Sequence, residues 1–162
     1  TAVLTISANI KVDLLYVNMT MQTAALFAIS AFYGSRLAVA TVALYLLEGA
    51  LGLPVFTGTP EKGLGLAYMV GPTGGYLLSY LIAAWMVGRA ADKGLARKPL
   101  VLGGVMLAAE VVILVMGAGW MAYLFGLEKG IAFGFGVFII GDLVKLALAA
   151  CGVPAIMSLL KR

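Results

Sequence analysis

Asp142 and Lys145 stand three residues apart inside the last long apolar stretch, FGVFIIGDLVKLALAACGVPAIMSLL. Three residues is just under one helical turn, so an α-helix sets both on one face and within reach of each other. A charge inside hydrocarbon is costly, and ionisable residues there tend to face a pocket or a pathway. Aspartate accepts hydrogen bonds from N–H donors, and an ammonium donates to a carbonyl or carboxylate. A ureido or amide ligand offers a partner to each. A self-neutralising bridge with no ligand is the other reading of the same pair.

Further candidates flank the apolar runs. GPTGGY supplies Gly71, Thr73, Gly74 and Tyr76. In one reading Pro72 stops one element and Thr73 caps the next. In the other, free N–H groups at a helix start point at a ligand, with glycines allowing close approach. It is not a phosphate-binding loop, because GxxxxGK[ST] is absent. GLPVF, from Gly52 to Phe56, is either a turn or a lid. Trp120 and Tyr123 suit membrane-interface anchoring or stacking on an apolar ligand body. Tyr45, Glu48 and Gln22 lie near the same ends of their runs.

The elements that must position these residues are membrane helices. Of 162 residues, 63% are hydrophobic and only 11% charged, against roughly 25% charged in soluble domains. So few charges do not cover a soluble surface, and the 21 glycines suit close helix packing in a bilayer. The chain reads as a single domain, 1–162. The net charge of +4 is no nucleic-acid signal, since the basic residues gather at the ends of apolar runs. With no histidine and one cysteine, Ser-His and Cys-His catalysis, most zinc sites and a disulfide framework are excluded. No Ser-Lys or paired-Asp protease motif is present, so the reading is not an enzyme, with no catalytic residue and no metal.

Six apolar runs follow in order. A first ends near Asn9; KVDLLYVNMTM is expected as a connecting loop; a second goes from about Thr20 to Tyr33 and stops at GSR. A third goes from Leu37 to about Leu51, a fourth from about Tyr76 to Ala91, a fifth from about Leu100 to Met116, and a sixth from about Phe138 to Leu160. The stretches from Gly52 to Gly75 and from Gly117 to Gly136 read as irregular. Several runs sit at the short end of the roughly 17–25 residues a span needs. No ten-residue alternation marks a barrel. Small residues at spacings of three to five, as in Ala24, Ala28 and Ala31, or Ala83 and Gly88, read as helix packing or a docking face.

The positive-inside rule sets the orientation. With the end of the first run outside, Arg36, Arg89, Lys93, Arg97, Lys98, Lys161 and Arg162 fall inside, while Lys11, Lys62 and Lys129 fall outside, each within two residues of an acid. This predicts six spans, both termini cytoplasmic, and a first span mostly lying before Thr1. Both irregular segments and the Asp142–Lys145 end of the sixth span then share the outer side.

YLLEGALGLPVF, GPTGGYLL and FIIGDLVK, in this order and at these intervals, resemble BioY, the substrate-binding S component of biotin energy-coupling-factor (ECF) transporters. ISANI followed by MTMQ, and GAGWMAY, extend the resemblance over nearly the whole chain. It implies an all-α integral membrane protein, a six-helix S component binding biotin near its outer face, with Asp142 and Lys145 on the ligand's polar groups and Gly71, Thr73, Gly74 and Tyr76 forming the pocket. Tyr45, Tyr76 and Trp120 are expected to flank the apolar ring. It further implies uptake of biotin across the cytoplasmic membrane with a transmembrane coupling protein and ATP-binding subunits. Biotin is then the transported ligand, and no cofactor is expected. The alternative is a proton-coupled or solitary secondary transporter of a small polar vitamin, with Asp142 titrating.

Overall fold

The computed structural model describes residues 1–14, 17–59, 61, 63–131 and 139–159, with backbone alone at 11–14, 17–19, 139–145 and 157–159. The elements are α1 (Ala2–Asn9), strands β1 (Lys11–Leu14) and β2 (Val17–Thr20), α2 (Gln22–Ala50), α3 (Gly65–Met69), α4 (Gly74–Asp92), a 3-10 turn at Leu95–Arg97, α5 (Pro99–Phe125), α6 (Leu127–Ile131) and α7 (Ile139–Leu159).

By length and hydropathy α2 would cross a membrane as one 29-residue helix. It does not. The Gln22 side-chain amide donates to the Tyr45 hydroxyl at 2.9 Å, whereas 23 residues of straight helix would hold them about 34 Å apart. The chain reverses at Gly34, whose φ of 74° and ψ of 173° break the helix into arms 22–33 and 35–50. The GSR stop is therefore where the sequence placed it. Gly34 occupies the left-handed region, and a Cβ there would run into the Asp92 carboxylate. That carboxylate accepts from both the backbone N–H and the hydroxyl of Ser35. It thus satisfies an orphan donor at the start of the second arm, where negative charge is favoured.

Six helical passes result among the described residues: the short α1, both arms of α2, α4, α5 and α7. One end of the bundle carries exposed Arg36, Arg89, Lys93, Arg97 and Lys98; this is the basic end. The opposite, loop end carries the β1–β2 ribbon and the segment between α2 and α4. KVDL and VNMT, expected as plain loop, pair antiparallel from Lys11↔Thr20 to Leu14↔Val17. A ribbon lets these backbone groups satisfy one another.

The core is small and tight. Ala38, Val42, Ala83, Ala84 and Val87 are fully buried where α2 meets α4, and Leu102, Met106 and Ala109 are fully buried on α5. A Cβ on Gly88 would strike the backbone of Ser35, so the small residues there serve close helix packing. The outside is apolar: Leu37, Leu44, Leu100, Val111 and Val115 are all exposed. A surface of this kind is stable against lipid tails rather than water.

α5 departs from expectation. It was predicted to stop at Met116, yet it continues through Gly117 and Gly119 to Phe125 and ends at Gly126, φ 93°. Gly117 does not break the helix because it has a packing role: the Tyr76 ring of α4 occupies the space a side chain would need. α6 then folds back, with Gly130 seated on Ala122. Lower down, a Cβ on Gly103 of α5 would stand 3.4 Å from that of Ala150 in α7. Gly103 lies about 25 Å below Trp120 along the helix. If α7 ran upward, Ile139 would lie roughly 40 Å below Trp120, beyond the roughly 28 Å that eight chain steps reach. α7 therefore descends from the loop end, antiparallel to α5.

Candidate ligand-binding site at the loop end

The segment from Leu51 to Thr73 is rich in glycine and proline, and outside the short α3 it is not helical. Polar groups at membrane depth must find partners within the protein. Side chains of the helices supply them. The Tyr45 hydroxyl, accepting from Gln22, donates to the Val55 carbonyl at 2.9 Å. Tyr68 of α3 donates to the Thr57 carbonyl at 2.9 Å, and the Thr57 hydroxyl donates to the Ala8 carbonyl at 2.8 Å. The Trp120 indole N–H donates to the Gly71 carbonyl at 2.9 Å. Three helices, α1, α2 and α5, are thereby tied to one folded cover that includes α3.

Aromatic rings fill the layer beneath. Phe56 meets Tyr45 edge-on, centroids 5.4 Å apart at 83°, and stacks on Tyr68 at 5.0 Å and 20°. Gly49 makes room for the Phe56 ring. Tyr45 and Phe56 are essentially fully buried, so GLPVF is a packed segment anchored by Phe56, and Tyr45 stands behind it.

The GPTGGY residues take distinct places. Thr73 occupies the N-cap position of α4, but its side chain makes no capping hydrogen bond and is exposed. The Gly74 N–H donates to the Gly71 carbonyl at 3.1 Å. Gly74 and Gly75 are buried under Trp120, and a Cβ on Gly75 would collide with the indole and the Met116 carbonyl. Tyr76 is half-buried against Gly117. Tyr123, its ring 6.2 Å from that of Trp120, is exposed, as suits an interface anchor. Of the expected site residues, Tyr45, Gly71, Thr73, Gly74, Tyr76 and Trp120 thus gather at the loop end.

Asp142 and Lys145 lie in the first two turns of α7, and their side chains fall outside the described residues. Their positions are still informative. Ala149, Ala150 and Val153 form the buried stripe of α7. Position 145 is four residues before Ala149 and position 142 is seven, so both continue that stripe toward the loop end.

One ionisable residue was not singled out from the sequence. Glu110 of α5 is buried, 4% exposed, in the middle of the helix, and is engaged within the fold. Its signal was one acid inside an otherwise apolar run. A groove of about 440 Å³ lies at the other end, lined by Phe32, Gly34, Asp92 and Arg97 among others. It borders the Gly34 turn and is remote from the residues above.

The BioY family model matches residues 1–162. The chain belongs to the BioY family. Among its relatives, the biotin transporter BioY of Thermotoga maritima is 35% identical over 151 residues, 93% of this chain and 86% of that protein. The probable biotin transporter BioY of Pyrococcus horikoshii is 32% identical over 148 residues, 91% and 85% respectively. The crystal structure of the S-component for biotin from an ECF-type ABC transporter superposes with a TM-score of 0.82, at 21% identity, over 97% of this chain and 86% of that one. The six-helix membrane fold expected from the sequence is therefore the observed one. In this BioY-family member the short β1–β2 ribbon precedes α2.

Proposed function

We propose that this chain is the biotin-binding subunit of a vitamin importer. The observation that supports it most is the aromatic- and glycine-lined cover at the loop end of a BioY-family bundle, the end from which α7 descends with Asp142 and Lys145 in its first two turns. Asp142 accepts from a ureido N–H, and Lys145 donates to the ureido oxygen or the carboxylate. Tyr76 and Trp120 flank the apolar ring, with Tyr45 backing the cover, while Gly71, Thr73 and Gly74 let the backbone approach the ligand. The protein binds and moves its ligand without transforming it.

The basic end faces the cytoplasm, by the distribution of Arg and Lys, which puts the C-terminal end of α7 inside and the site outside. The sequence has no nucleotide-binding motif. The drive for uptake comes from a transmembrane coupling protein and ATP-binding subunits that reorient the bundle. Mass spectrometry of ligand carried through detergent purification, followed by calorimetry with biotin, thiamine and riboflavin, tests the substrate. Unmodified biotin, bound in preference to the other two, is expected; preference for either competitor overturns the assignment. Uptake that collapses with a protonophore at constant ATP replaces the ATP-driven reading with a proton-coupled one.

A further inference from the structure

α5 is apolar from Leu100 to Met116 except for Glu110. A carboxylate at that depth needs a cation or a proton close by. Of the eleven Lys and Arg residues, ten lie at the ends of apolar runs or in the connections, and only Lys145 lies within one.

The backbone brings the two to the same level. Gly103 faces Ala150 across the α5–α7 contact. Glu110 is seven residues above Gly103, two helical turns, and so on the same face of α5. It stands about 10 Å above that contact, while positions 145 and 142 on the descending α7 stand about 7.5 Å and about 12 Å above it. Glu110 therefore sits at a depth between Lys145 and Asp142, on the α5 face turned to α7. The same face continues seven residues higher to Gly117, where the Tyr76 ring packs. Glu110 thus lies below the loop-end cluster and beside the charged turns of α7.

We propose that Glu110 is a positioning residue of the ligand site, a second carboxylate that balances and holds the Lys145 ammonium so that Asp142 is left to accept from the ligand. Lys145 then serves two acids, one on each side of the α5–α7 contact, and Asp142 is not neutralised by a closed one-to-one bridge. The assignment rests on the biotin-binding reading, and its consequences separate from it.

The test uses the full chain in detergent, with calorimetric biotin titration and ligand-free melting of Glu110→Gln, Glu110→Asp, Lys145→Met and the double variant Glu110→Gln/Lys145→Met. Glu110→Gln is expected to weaken biotin at least about tenfold, a loss of roughly 1.4 kcal/mol, and Glu110→Asp to restore part of it. In ligand-free melting, Lys145→Met leaves a buried carboxylate without its cation, and adding Glu110→Gln is expected to recover much of the lost stability. Wild-type affinity in Glu110→Gln, or strictly additive melting losses, overturns the proposal. If Glu110→Gln does not fold alone, the double variant decides: recovery of folding supports the pair, and continued misfolding overturns it. Failure of the wild type to bind biotin would instead refute the proposed function, leaving the melting cycle to judge the pairing by itself.

Discussion

Replacing Tyr45 by Phe removes one oxygen and almost no volume, yet that oxygen joins three elements. The ring is fully buried and keeps its edge-on contact with Phe56, so packing is retained. What is lost is the acceptor for the Gln22 amide and the donor to the Val55 carbonyl, each at 2.9 Å. Gln22 and Val55 are both buried, so water does not readily replace the hydroxyl. An unsatisfied buried polar group costs about 1–3 kcal/mol. Two such groups give roughly 2–6 kcal/mol, and local relaxation brings the expected loss to about 2–4 kcal/mol. Part of it falls on the Leu51–Thr57 cover, which this bond helps tie to α2. If the cover must be closed to hold ligand, affinity drops by the fraction of molecules that stay closed. A loss of about 1.4 kcal/mol in closure corresponds to at most about tenfold in affinity. Denaturant unfolding in mixed micelles measures the first quantity, and biotin calorimetry the second. A Tyr45→Phe variant that unfolds within about 0.5 kcal/mol of wild type and binds equally well would show that the hydroxyl does not hold the cover.

Other substitutions probe the remaining contacts. Asp142→Ala and Lys145→Ala, each removing one of the charges proposed to hold the ligand, are expected to abolish measurable biotin binding, since stripping a partner from a buried charge costs roughly 3–5 kcal/mol; titration at wild-type affinity in both would contradict the site. Gly117→Val forces a side chain into the Tyr76 ring and is expected to cost about 1–3 kcal/mol by overpacking, read as a lower melting temperature, whereas Gly119→Val, with open space around it, should cost less. Ser35 hydrogen bonds hold the Asp92 carboxyl below its ordinary value of 3.8. The unfolded chain therefore takes up this proton first as pH falls, so the stabilisation is complete above that ordinary value and disappears as pH drops through the lower folded value. The melting gap between wild type and Asp92→Asn should accordingly be widest near about pH 7 and close below about pH 4; a gap that stays constant with pH would deny the carboxylate its role at the Gly34 turn.

Much of this architecture could be read from the order of apolar runs and their punctuation. GSR marked the reversal at Gly34, because only a residue tolerating positive φ suits so abrupt a turn, and DKG marked the end of α4. The end of α5 was not legible. Local propensity penalises Gly117 and Gly119, but the Tyr76 ring packed on Gly117 outweighs that penalty, and no pattern in the single sequence reveals a contact across two helices. The β1–β2 ribbon was missed for a related reason: four-residue strands leave too short an alternation to distinguish from loop. Glu110 lay in plain view, yet its place facing α7 depends on the register set by Gly103 and Ala150.

The hydrogen-bond inventory of the loop end bears directly on which groups remain for a ligand. Tyr45 and Trp120, two of the aromatics expected to flank the ligand's apolar ring, and Tyr68 beside them each carry one polar tip. Each donates its single proton to a carbonyl of the cover: Val55, Thr57 and Gly71. A phenol or indole that has given its hydrogen to the backbone offers a ligand mainly its ring face. The aromatic cluster therefore provides walls and a fastened cover, suited to an apolar ring, and little polar discrimination. Recognition of a ureido group has to come from elsewhere, and α7 bears an acid and a lysine with the required chemistry in the turns about 13–18 Å below the level of Trp120. This division of labour also explains the cost of the Gly/Pro-rich segment at membrane depth. The Val55, Thr57 and Gly71 carbonyls are satisfied by the side chains of the aromatic layer, so opening the cover breaks those bonds together.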